Sequence, residues 1–147
     1  MFDDLSLRTA GRGDRELLFE VYASTRAAEL ARVPWSEAER AAFLRQQFEA
    51  QDEFYRQTFP RASFSVVEVD GMAAGRLYVD RRRSEVRIVD IALLPPFRGR
   101  GLGTPLLREL LDEAAAGAKP VRIHVERFNP ALGLYRRLGF RQLEDLD

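Results

Sequence analysis

The chain has no cysteine, one histidine (His124) and one lysine (Lys119). Without cysteine there are no disulfides, no thiolate metal ligands and no cysteine nucleophile. One histidine cannot build a multi-histidine zinc centre, so no metal is expected. No apolar run reaches the roughly 18 residues that a membrane span needs, so no membrane partner is expected. Charge of neither sign is in excess: 23 Lys+Arg stand against 23 Asp+Glu. A polyanion binder needs a basic surplus, so no nucleic-acid partner is expected either. The first residues carry Asp3 and Asp4 and no apolar core segment. That is not the pattern of a signal peptide, and the expected location is cytoplasmic.

What is present suits one soluble domain over residues 1–147, with 46% hydrophobic residues for a core and 31% charged residues for a surface. Nearly all the positive charge is arginine, whose planar fork of donors matches phosphate and carboxylate. Leu5-Ser6-Leu7-Arg8 alternates as a strand does. Asp14 is placed to cap a helix running to about Ala31, with Leu17, Leu18, Val21 and Tyr22 on one face. Ser36 and Glu39 form a capping-box pattern for a second, aromatic-rich helix that stops at Pro60. Three strand-like runs follow, Phe64–Val69, Gly75–Val79 and Val86–Leu94, with a tight-turn signal at Asp70-Gly71. A helix with Leu106, Leu107, Leu110 and Leu111 on one stripe comes next, then a strand over Val121–Glu126. Asn129-Pro130 opens a short helix through Leu138, and a last strand is expected from Phe140. The order β-α-α-β-β-β-α-β-α-β describes an α/β fold: a mixed, mostly antiparallel sheet flanked by helices.

The strongest chemical signal is Arg98-Gly99-Arg100-Gly101-Leu102-Gly103-Thr104, set between a strand and an amphipathic helix. Glycines let backbone N–H groups close on ligand oxygens, and the helix N-terminus adds free donors and partial positive charge. A P-loop would need a lysine before Thr104, and none is there. A dinucleotide fingerprint would need a third glycine at Thr104, and it normally opens its fold instead of following a meander.

The third candidate is Arg-x-x-Gly-x-Gly, filled by Arg98, Gly101 and Gly103. With it, Ile91–Gly103 resembles the fourth strand and pyrophosphate loop of the GNAT superfamily of acetyl-CoA-dependent N-acetyltransferases. The segment Asn129–Phe140 resembles that family's C-terminal "N…A…LY…LGF" stretch. The resemblance implies a GNAT-like fold and acetyl-CoA as co-substrate. It implies direct transfer of the acetyl group to a primary amine on a small molecule, peptide or protein. The backbone of Ile91 and Leu93 would pair with the pantetheine arm, and the Leu93 N–H would face the thioester oxygen. Arg98, Gly99, Arg100, Gly101, Leu102, Gly103 and Thr104 would hold the pyrophosphate, and Asn129 would touch the arm from the far side. Tyr135 falls at the family's general-acid position. A phenol of pKa about 10 can pass a proton to a departing thiolate of about 8.5.

For the general base, His124 occupies a place where N-terminal acetylating members often carry glutamate. Asp90 and Glu126 are alternatives through water, although strand alternation sets Asp90 on the face opposite Ile91 and Leu93. Arg87 stands where many relatives have a glutamate, and it suits an acidic substrate. Trp35, between the first two helices, would wall the acceptor site. Two other classes stay open: a non-catalytic acyl-CoA-binding domain on the same fold and, further off, a nucleotide-binding oxidoreductase. Monomer and homodimer are equally compatible with the sequence.

Overall fold

The Asp70-Gly71 turn sets the register of the central sheet. Both residues have left-handed backbone, φ 51° and 81°, the combination that matches the twist of a two-residue hairpin. The computed structural model describes residues 4–125 and 129–143. In it the turn joins β2 (Ser63–Val69) to β3 (Met72–Arg81). β1 (Leu5–Thr9) lines the far side of β2, and β4 (Val86–Leu93) lines the far side of β3. These four strands are antiparallel; β5 (Val121–Ile123) joins β4 in parallel.

Helices cover both faces. α1 (Arg15–Leu30) and α2 (Glu37–Thr58) lie on one face, where Leu18, Tyr22, Phe48 and Tyr78 form a buried cluster. The Ser36–Glu39 capping box is present: Ser36 Oγ accepts from the Glu39 N–H at 3.1 Å, and Glu39 Oε1 accepts from the Ser36 N–H at 2.9 Å. α3 (Gly103–Ala116) packs on the other face, its Leu106, Leu107 and Leu110 against Leu77, Val79, Val86 and Ile88. A short α4 (Leu132–Arg137) completes that layer with Tyr135.

Three local expectations change. Asp14 precedes α1 without a side-chain cap bond to it; its carboxylate accepts from the Gly11 N–H at 2.7 Å and from Arg8 at 2.8 Å. β5 ends at Ile123, so His124 and Val125 lie beyond the strand, and Glu126 lies outside the described residues. Residues 140–143 form no strand. There the Phe140 N–H turns back to the Tyr135 carbonyl and the Gly139 N–H to that of Arg136, both at 3.0 Å. Gly139 takes φ 98°, so the chain closes α4 in a Schellman motif and does not extend.

Candidate active site

The site begins where the sheet opens. β4 and β5 pair only from Val86/Val121 to Ile88/Ile123. One residue later β4 carries a bulge: Tyr78 faces Asp90 and Val79 faces Ile88, so Val89 is the extra residue. Beyond it, β4 has no strand partner on its outer edge among the described residues. The Leu94 N–H bonds the Ala74 carbonyl at 2.8 Å, which makes Gly75/Leu93 and Leu77/Ile91 the non-hydrogen-bonded pairs of the ladder. Leu93 and Ile91 therefore turn their N–H and C=O groups outward, toward the open edge.

Gly75 makes this edge possible. A Cβ there would lie 2.2 Å from the Ala92 carbonyl oxygen and 2.9 Å from the Leu93 Cα. Only glycine admits so close an approach of β3 to β4.

The glycine loop follows directly. The single turn Pro95–Phe97 leads into it, and Phe97 and Leu102 are buried and pin its two ends. Gly99 and Gly101 have φ 67° and 77°, and a Cβ on either would meet nothing within 4 Å. The loop is thus a left-handed, open-faced stretch of backbone leading into α3, whose first turn has no side-chain cap. Arg98 does not extend into that opening. Its Nε donates to the Leu93 carbonyl at 2.8 Å, and its Nη2 donates to Ser24 Oγ on α1 at 2.9 Å. It ties together the end of β4, the loop and the first helix. Arg100 is exposed on the loop.

α4 meets the loop from the other side: a Cβ on Gly103 would sit 3.1 Å from Leu134 Cδ2. The next residue, Tyr135, is buried at 6% exposure, with its ring edge-on to Phe140 at 5.7 Å. Its hydroxyl has no hydrogen-bond partner among the described residues. Burial raises its pKa above the ordinary phenol value, and the charge of Asp90 adds to the rise. The hydroxyl therefore stays protonated, as a donor must.

The other expected residues are less close-set. His124 is exposed past the end of β5. Asn129 Oδ1 accepts from the Ala131 N–H at 2.8 Å, which starts the turn into α4. Arg87 and Arg122 both lean on Glu85, at 3.6 and 3.4 Å. Trp35 packs on Phe43 at 5.1 Å.

A polar cluster that the sequence does not announce lies beneath the edge. Asp90 Oδ2 accepts from Tyr55 Oη at 2.8 Å and from Arg76 Nη2 at 2.9 Å, and Arg76 Nη2 also reaches Gln51 Oε1 at 2.9 Å. Arg76 is 3% exposed. Among the described residues, Arg76 Nε and the Tyr78 hydroxyl are buried without a well-formed hydrogen bond, and the Arg76 guanidinium lies against the Tyr78 ring, 5.2 Å from its centroid. Burial, then the Asp90 charge, pushes the Tyr55 phenol well up. Strand alternation sets Asp90 on this face, opposite Ile91 and Leu93, but its partners Tyr55, Arg76 and Gln51 come from other elements that a sequence reading does not bring together. Ser24 and Gly75 likewise carry no local signal of their roles. Among the described residues, no group of three His, Cys, Asp or Glu side chains could hold a metal ion, and no helix is long and apolar enough to cross a membrane.

An open strand edge, a left-handed glycine loop at a helix start and a buried phenol beside them make up the candidate site. The sequence profile of the acetyltransferase (GNAT) family matches residues 25–140. The chain belongs to that family. A candidate [ribosomal protein bS18]-alanine N-acetyltransferase of Bacillus subtilis is 34% identical over 95 residues, 61% of this chain and 62% of that relative. The N-alpha-acetyltransferase RimI of Mycobacterium tuberculosis is 39% identical over 59 residues, 40% of this chain and 37% of that one. The chain thus spans less than two thirds of the length of each of these two curated relatives. The PaiA N-acetyltransferase of Thermoplasma acidophilum, solved with coenzyme A, superposes with a TM-score of 0.70 at 20% identity, over 99% of this chain and 94% of that one. That likeness shows the fold.

Proposed function

We propose that this chain transfers the acetyl group of acetyl-CoA directly to a primary amine, with Tyr135 as the general acid. The observation that carries the reading is the presence of three features in one chain, two of them joined where Leu134 of α4 meets Gly103. These are the outward backbone groups of Ile91 and Leu93, the open loop at Gly99–Thr104, and the Tyr135 phenol on the helix that abuts the loop.

The fit to the cofactor is physical. The free edge of β4 offers the amide donors and acceptors that an extended pantetheine arm needs. The Leu93 carbonyl accepts from Arg98, and the outward Leu93 N–H would donate to a thioester oxygen. Backbone N–H groups from Gly99 to Thr104 and the start of α3 would receive the pyrophosphate, with Arg100 adding charge. Arg98 acts here by holding loop, strand and α1 in place. Asn129 would meet the arm from the α4 side.

Attack of the neutral amine on the thioester carbonyl forms the C–N bond and releases the thiolate. Tyr135, protonated and without a competing partner among the described residues, supplies the thiolate's proton. His124 is one candidate to take the amine's proton; its exposure leaves it open to solvent.

The relatives named for an alanine and an N-alpha acceptor make an α-amino group the first acceptor to try. The test is thiol release from acetyl-CoA with a panel of amines: an alanine-initiated peptide, free lysine, a polyamine and an aminoglycoside. Turnover on at least one is expected. Tight CoA binding with no turnover on any would instead identify a non-catalytic acyl-CoA-binding domain, and preference for a nicotinamide dinucleotide would overturn the reading altogether.

A further inference from the structure

We infer that Ser24 is a positioning residue for the cofactor: its hydroxyl, acting through Arg98, fixes the Leu93 peptide and the start of the glycine loop against α1. What the site holds rests on the acetyl-transfer reading above.

The chain of contacts is short and directional. Ser24 Oγ donates its proton to the Val21 carbonyl, one turn back on α1, at 2.7 Å. Its oxygen is left to accept, and Arg98 Nη2 donates to it at 2.9 Å across 74 positions of chain. Arg98 Nε, on the same rigid fork, donates to the Leu93 carbonyl at 2.8 Å. The peptide that carries this carbonyl is held on its other side as well, where the Leu94 N–H donates to the Ala74 carbonyl at 2.8 Å. Leu93 is therefore clamped between β3 and α1, and its outward N–H is held to one direction.

The neighbouring Thr25 supplies a comparison within the same helix. Its Oγ1 donates to the Tyr22 carbonyl at 2.6 Å, the back-bond that Ser and Thr commonly make inside helices. No long-range donor reaches it among the described residues. The back-bond is thus an ordinary feature of α1, and the bond from Arg98 is what sets Ser24 apart.

The loop has need of such an anchor. Gly99 and Gly101 take left-handed φ of 67° and 77° and bring no side chain to pack, so they do not hold a shape unaided. Phe97 and Leu102 seat the two ends in the core. Arg98 stands between Phe97 and Gly99, where the chain leaves the apolar seat for the open loop. Its side chain is exposed, and both acceptors it meets are neutral. Fixing a long guanidinium on a hydroxyl and a carbonyl costs rotamer freedom and gains no ion pair. The gain is geometric: one planar fork joins strand, loop and helix.

The test uses the full chain, with calorimetric titration of acetyl-CoA and of CoA and thermal melts of the unliganded proteins. Alanine favours helix, so Ser24→Ala keeps α1. It is expected to weaken acetyl-CoA binding about ten-fold, the scale of one lost hydrogen bond to a charged group. CoA, with no thioester carbonyl for the Leu93 N–H, should lose only about three-fold. Ser24→Thr keeps the hydroxyl and should recover most of the loss. Thr25→Ala, which removes the matching back-bond and leaves Arg98 alone, should stay within about two-fold of the wild type. In an Arg98→Met background, Ser24→Ala should change nothing further, because the two residues act through one contact. Unchanged or tighter acetyl-CoA binding in Ser24→Ala overturns the assignment. So do equal losses in Ser24→Ala and Thr25→Ala, or losses that add in the double variant with Arg98→Met. A wild type that binds acetyl-CoA but acetylates no amine refutes the acetyl-transfer reading alone, since the affinity comparison still decides Ser24. A wild type that binds neither ligand overturns both.

Discussion

Tyr135 and Phe140 are the two ends of one helix-closing motif. The Phe140 N–H bonds the Tyr135 carbonyl at 3.0 Å, and the two rings meet edge to face at 5.7 Å. Gly139, at φ 98°, makes the reversal between them. The Leu-Gly-Phe signature after the tyrosine is therefore a device that locks the phenol's helix. Phe140→Ala is expected to destabilise the fold by about 2–4 kcal/mol through the lost packing. It should also lower kcat more than it lowers CoA affinity, because the phenol loses its brace. Thermal melts alongside steady-state kinetics check both; a variant with kcat intact would separate the motif from catalysis.

Tyr135→Phe removes a hydroxyl that makes no hydrogen bond among the described residues. Little change in stability is expected, with a fall in turnover of about 100-fold and unaltered CoA binding. The pH dependence has a definite sign. Burial raises this phenol, so it remains a donor up to and beyond the ordinary phenol value of about 10. No loss of rate on the alkaline side below that value should trace to Tyr135. Measuring kcat against pH for the wild type and the Phe variant decides the point.

Gly101→Asp places a carboxylate in the open face of the loop. Its Cβ would meet nothing within 4 Å, so the cost to the fold is the left-handed backbone alone, about 1 kcal/mol. Coenzyme A affinity should nevertheless collapse by more than about 100-fold, since an anion would stand where we propose that the pyrophosphate binds. Calorimetric titration reads this directly. Retained affinity would move the pyrophosphate elsewhere.

Gly75→Ala tests the strand edge. The added Cβ would overlap the Ala92 carbonyl oxygen at 2.2 Å, forcing β3 and β4 apart. A loss of about 2–3 kcal/mol is expected, or roughly 5–10 °C in melting temperature for a chain of this size. CoA affinity should fall too, because Leu93 moves with the strand. Differential scanning calorimetry and a binding titration would show whether the two effects travel together.

Asp14 ties stability to acid. Its hydrogen bonds, first to Arg8 and then to the Gly11 N–H, hold its pKa at about 2, below the ordinary 3.8. A group depressed in the folded state stabilises it above the unfolded value and loses that contribution as pH falls through the folded one. Between about pH 4 and 2, the wild type should therefore lose stability that Asp14→Asn never had. Urea midpoints across that window check the difference, and parallel curves for the two proteins would contradict it.

Local rules were enough for most of the framework. Alternating apolar residues, the Asp70-Gly71 turn, the Ser36/Glu39 capping pattern and the leucine stripe of α3 each report on neighbours a few residues away, which is the range over which backbone geometry is decided. The glycine loop and the tyrosine before Leu-Gly-Phe were legible for the same reason. Long-range packing decided the rest. Val89 is an extra residue between two registers of β3 and β4, and Asp90 meets Tyr55 and Arg76 only where α2 and β3 come to rest beside it. Ser24 meets Arg98 across 74 positions of chain. His124 falls outside β5 because the two strands part after Ile123. Contacts of this kind depend on where whole elements come to rest, and no short stretch of residues encodes that.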